Sequence, residues 1–147
     1  MPSEPSAIAS RALIIGLGCR RGCPAEVLLE LIEHSLRVEN LDTTAISALA
    51  SIALKHDEPG LLGVAQQLGL PLILLSAAQL AGFEGQLSHR SQAAFDSTGC
   101  WGVAESAALA AVQQSGDHLA SLVINRQHNS QATFALAGPL RSIPETP

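Results

Sequence analysis

Residues 12–19, ALIIGLGC, form an apolar run ending in two spaced glycines, and Arg20, Arg21 and Gly22 separate it from a proline and an amphipathic stripe. So short a run, rich in isoleucine and leucine, reads as a buried strand over about 12–17. Val27, Leu28, Leu31, Ile32 and Leu36 then fall on one side of a helix, with Pro24 suited to its first position and Cys23 to its cap. Strand, glycine loop and helix is the building unit of parallel sheets, so the remaining chain must supply further strands to lie beside the first.

It supplies them in alternation. Residues 46–53 read as a second strand, although their alanines also permit a helix. Asp57, Glu58 and Pro59 open a second helix that Gly69 stops. PLILLS at 71–76 is a third strand, followed by a short helical stretch. Residues 84–102 read as polar and irregular, and VAESAALAAVQQS, from Val103, has the composition of a helix. SLVINR at 121–126 and QATFAL at 131–136 flank the turn-like QHNS and form a hairpin. The expected fold is a layered α/β/α domain over residues 11–137, with a mostly parallel sheet and an antiparallel C-terminal hairpin. Proline-rich residues 1–10 and 138–147 read as flexible tails.

Charge narrows the function. The chain carries 8 Lys and Arg against 13 Asp and Glu, a net charge of −5, and its only lysine is Lys55. A broad basic face for nucleic acid is therefore excluded, because neutralising many phosphates needs many cations on one surface. No apolar run approaches a bilayer span, and no basic segment followed by a long apolar run marks a signal peptide, so a cytoplasmic protein without membrane contact is expected. Three cysteines, Cys19, Cys23 and Cys100, are too few for a disulfide framework. Cys19 and Cys23 lack a second pair or a neighbouring histidine, so neither a metal site nor a bound cofactor is expected.

In a layered α/β sheet, ligands bind beyond the carboxyl ends of the strands, where helix N-termini point. Three polar clusters fall at such places: Gly16, Gly18, Cys19, Arg20 and Arg21 after the first strand; Lys55 and Glu58 after the second; and Ser97, Thr98 and Gly99 leading to Glu105. Glycines let a ligand approach backbone N–H groups, and arginine forks suit carboxylates. Each cluster also has a plain structural meaning: a tight turn, a solvated lysine beside Asp57 and Glu58, and a helix start whose Glu105 complements the dipole.

Taken together, GLGCRRG at 16–22, LASIALKHDEPGLLGVAQQLGLPL at 49–72 and STGCWGVAESAAL at 97–109 resemble the cobalamin-biosynthesis family CobE, equivalent to the C-terminal domain of CbiG. The resemblance spans about residues 11–137, and the family's motif positions match Gly16, Gly18, Arg20, Lys55, Glu58, Gly99 and Glu105. It implies a role in building the corrin ring of vitamin B12, with a precorrin or another corrin-pathway intermediate as the ligand. CbiG is associated with opening a ring lactone on such an intermediate and releasing a two-carbon fragment. The expected role here is binding or carrying the precursor, with the three clusters as its rim. The rivals are a lactone hydrolase in which Lys55, Glu58 or Glu105 handles protons, and an accessory subunit of a pathway methyltransferase.

Overall fold

The computed structural model describes residues 13–116 and 119–139, with the side chain of Ser97 excepted. Five strands, β1 (Ile14–Cys19), β2 (Ala48–Ile52), β3 (Leu72–Leu75), β4 (Ala120–His128) and β5 (Ala132–Pro139), form one sheet in the order β3-β2-β1-β5-β4. β1, β2 and β3 are parallel, and β5 runs antiparallel to both β1 and β4. Helices α1 (Ala25–Val38) and α2 (Pro59–Leu68) cover one face, while α3 (Ala77–Ala81) and α5 (Val103–Ser115) cover the other. The short helix α4 (Gln92–Thr98) precedes α5. The layered α/β/α arrangement read from the sequence is the one observed. The tail expected at 1–10 and residues 140–147 of the tail expected at 138–147 lie outside the described residues, while Gly138 and Pro139 belong to β5, which runs past the boundary expected at 137.

The two faces are packed by different kinds of residue. Under α1 and α2, β1 and β5 present Ile15, Leu17, Phe134 and Leu136 to Leu28, Ile32, Leu36, Leu61 and Val64, all fully buried. On the other face, between Ile14, Ile52 and Leu75, the small residues Gly16, Ala48, Ala50, Ala135 and Ala137 leave room for a helix to lie close. Helix α5 uses that room, and all ten residues from Val103 to Val112 are buried. Helices apolar on every side belong in an interior, and small side chains let two backbones approach. The approach is tightest at Gly16, where an added Cβ would sit 1.9 Å from the Ala104 carbonyl oxygen and 2.8 Å from the Ala108 nitrogen.

Several boundaries differ from the sequence reading for local reasons. β1 starts and ends two residues later than expected, because its pairing with β5 extends to Cys19 opposite Ala132. Pro24, not Cys23, occupies the N-cap of α1, and Cys23 is buried in the core beneath α1 and α2. The segment expected to be irregular at 84–102 contains a 3-10 turn at Glu84–Gln86 and helix α4. The Ser91 hydroxyl caps α4 by accepting the Ala94 N–H at 3.1 Å, and Gly99 ends it at φ +81°. Two turns are too few to leave a periodic stripe in the sequence.

Gly16→Ala is expected to lower folding stability by about 1–3 kcal/mol, the range for overpacking a dense core, because the added methyl meets backbone rather than a movable side chain. Urea unfolding followed by circular dichroism measures it. An unchanged midpoint would mean that α5 does not need this contact.

Candidate functional site

Beyond the carboxyl ends of β1 and β2, four loops surround a cleft of about 710 Å³. They are the β1–α1 loop, the 3-10 turn Ala53–Lys55 leading to α2, the segment before α5, and the turn between β4 and β5. This volume is within the usual range for small-molecule sites. Gly18, Cys19, Arg20, Arg21, Lys55, Glu58, Thr98 and Glu105 all line it, so the three clusters of the sequence meet at one edge of the sheet. Ile52, Leu54, Val103 and Ala104 give it an apolar wall.

Three acids line the cleft; Asp57 is exposed, and the two buried ones are built into the frame. Glu58, 5% exposed, is the N-cap residue of α2, and its Oε2 accepts the Gly22 N–H at 2.7 Å. That bond ties the β2–α2 connection to the β1–α1 loop. Gly60 makes the approach possible, since a Cβ there would lie 2.1 Å from the Cys23 carbonyl oxygen. Glu105, 2% exposed, lies in the first turn of α5, where the helix dipole favours a negative charge. Its Oε1 accepts the Ser88 N–H at 2.8 Å, and its Oε2 accepts the Ser88 hydroxyl and the Arg126 N–H, the latter at 2.9 Å. A buried carboxylate that accepts the backbone amide of another segment clamps the two segments together.

The cations are disposed differently. Arg20 and Arg21 are exposed, Lys55 is half-buried, and none has a side-chain hydrogen bond or ion pair among the described residues. The N–H of Arg20 donates to the Gln131 carbonyl at 2.9 Å, which fixes its loop against the β4–β5 turn. Cys19 faces the same cleft, and burial pushes its thiol up to about 12, only partly opposed by the Lys55 charge. It is therefore a neutral thiol at ordinary pH, and a nucleophilic thiolate is not formed.

Some residues read from the sequence as site residues have other work. Gly16 does not line the cleft; it is the contact point for α5. Gly99 terminates α4 in a left-handed conformation and lies outside the cleft lining. Ser97 is in α4, and its side chain is outside the described residues. Thr98 reaches the cleft, but its hydroxyl donates to the Ala94 carbonyl at 2.6 Å and accepts the Cys100 N–H at 3.1 Å. Trp101 stacks on Phe95 with ring centroids 4.4 Å apart, which closes the α4 segment on itself. The sequence reading missed Arg126 and the turn Asn129–Gln131, which form the remaining wall. The available signal was the turn-like QHNS, since a strand entering it must end at the same sheet edge.

Comparison with known proteins shows the family and the fold. The family model for the cobalamin synthesis G C-terminus matches residues 13–137. Protein CobE of a Sinorhizobium species is 35% identical over 90 residues, covering 61% of this chain and 58% of that protein. The cobalt-precorrin-5A hydrolase of Salmonella typhimurium is 34% identical over 77 residues, covering 52% of this chain and 22% of that protein. The chain thus spans well under two thirds of the length of these relatives. The crystal structure of CobE, a protein from the cobalamin biosynthetic pathway, superposes with a TM-score of 0.86 at 41% identity, covering 89% of this chain and 92% of that one.

The raised Cys19 pKa gives a pH prediction. At pH 9, where an ordinary thiol is half ionised, iodoacetamide is expected to modify Cys19 slowly in the folded protein and rapidly in urea, as read by peptide mass mapping. Because the folded state holds this proton more tightly than the unfolded one, the contribution to stability is complete below about pH 9 and declines as pH rises toward 12. Equal alkylation rates in folded and unfolded protein would contradict the burial of this thiol.

Proposed function

The chain belongs to the cobalamin synthesis G C-terminus family, a family of cobalamin biosynthesis, and from that membership we propose that it binds a corrin-ring precursor of the precorrin type and carries it unchanged. Such ligands are broad, flat and apolar, and fringed with carboxylates. A receptor for them needs an apolar slot rimmed by a few cations. The cleft has that composition: Ile52, Leu54, Val103 and Ala104 form the wall, and Arg20, Arg21 and Lys55 stand at the rim.

The observation that carries the reading is the contrast between the two buried acids and the cations of the cleft, where a third acid, Asp57, is exposed beside Lys55. Glu58 and Glu105 are occupied by backbone N–H donors, whereas the rim cations have no partner among the described residues. Unpaired cations suit recognition of carboxylates. A general acid or base must instead be free to exchange a proton with the substrate, and here both oxygens of Glu105 and Oε2 of Glu58 already accept the protein's own donors. The same contrast favours carriage over hydrolysis, the Salmonella relative being named a cobalt-precorrin-5A hydrolase.

Incubation of the apo-protein with purified precorrin intermediates, followed by gel filtration and mass spectrometry, tests the proposal. Co-elution of pigment with unchanged mass is expected. A product that has gained water or lost a two-carbon unit would replace the carrier with a hydrolase, and affinity for a pathway methyltransferase without affinity for pigment would make the chain an accessory subunit. Lys55→Ala is expected to fold normally and to weaken pigment binding by about 1–3 kcal/mol, the range for losing a charge-assisted bond. Unchanged affinity in that titration would return Lys55 to the role of a solvated surface residue.

A further inference from the structure

β4 and β5 do not pair evenly. Ile124 stands opposite Leu136 and Gln127 opposite Phe134, so β4 spends one residue more than β5 between these pairs, and a bulge results at Asn125 and Arg126. A bulge leaves an amide without a ladder partner and re-aims the side chains around it. Here the freed N–H is that of Arg126, and it donates to the buried Glu105 carboxylate on α5 at 2.9 Å. Glu105 therefore holds the backbone of Arg126 and leaves its guanidinium free. That guanidinium belongs to a half-buried residue lining the cleft and has no partner among the described residues.

We propose that Arg126 is a carboxylate anchor on the far wall of the cleft and that Glu105 is the residue positioning it. The inference rests on the binding reading above and specifies its ligand further. Lys55 follows β2 and Arg126 is on β4, with β1 and β5 between them. Three strand spacings of about 4.8 Å put the two cations roughly 14 Å apart along the sheet edge, with Arg20, just after β1, between them. One small carboxylate cannot engage both ends of such a row. A macrocycle with carboxylates on opposite sides can, and the arginine fork adds a bidentate grip that a lysine lacks.

The probes are cobyrinic acid, a corrin with carboxylates around its rim, and its fully methyl-esterified form, titrated into the folded protein at fixed ionic strength. The wild type is expected to bind the acid more tightly than the ester. Arg126→Ala should weaken acid binding about tenfold while leaving ester binding unchanged. Glu105→Ala should cost a similar factor, and the double variant no more than either single one, because both changes remove the same contact. Should Glu105→Ala fail to fold, Glu105→Gln replaces it: its amide oxygen can still accept the Arg126 N–H, so acid binding close to wild type supports positioning. A loss as large as that of Arg126→Ala overturns it. Wild-type binding that Arg126→Ala does not alter, or single losses that multiply in the double variant, would sink this inference alone. A wild type that binds neither probe nor any precorrin would overturn the binding reading as well.

Discussion

The contact between α5 and the sheet at Gly16 sets the rest of the structure. A helix axis usually stands well clear of a sheet because side chains intervene, but here a backbone carbonyl of α5 occupies the space of a missing Cβ. The consequence is positional. With Ala104 fixed against β1, the next residue, Glu105, is delivered to the carboxyl edge of the sheet with its side chain buried. From there it reaches Ser88 on one side and Arg126 on the other, joining the segment before α5 to the hairpin after it. The alanine content of α5 and the small residues on the facing side of β1, β2 and β5 are two halves of one requirement.

A second clamp has the same design on the opposite side of the cleft. Glu58 holds Gly22 as Glu105 holds Arg126, and in each case a buried carboxylate accepts a backbone amide at or next to an arginine that lines the cleft. Burying an anion is costly unless it is hydrogen-bonded, and the amide donors meet that cost without using any side-chain cation. The electrostatics follow directly. Although the chain as a whole carries a net charge of −5, its cleft presents Arg20, Arg21, Lys55 and Arg126, against one exposed acid, Asp57, to whatever lies in it. A few cations held on rigid supports give local selectivity for carboxylates that overall charge does not reveal.

How much of this was legible in the sequence depended on whether a feature was local. Pro59 and Gly69 marked the ends of α2 because each imposes a backbone conformation by itself, and β1 and α1 were legible through their apolar spacing. The convergence of the three clusters followed from strand–helix alternation, which places successive loops at one edge. What stayed hidden was tertiary. Gly16 was visible as a glycine beside a loop, but its meaning lies in a carbonyl 88 residues further along, at Ala104. Glu58 and Glu105 stood out as acids near cations, yet only the fold shows that backbone amides claim one oxygen of Glu58 and both of Glu105. Arg126 looked like an ordinary strand residue because a bulge depends on how the neighbouring strand is paired, and nothing in SLVINR announces it.

The most direct measurement is a crystal structure of the protein with a bound corrin precursor. Ligand carboxylates are expected against Arg20 or Arg21, Lys55 and Arg126, with Glu58 still bonded to the Gly22 amide and Glu105 to the amides of Ser88 and Arg126. A ligand seated with either glutamate released from those amides and turned toward the ring would contradict it, and would make the acids, rather than the cations, the working groups of the cleft.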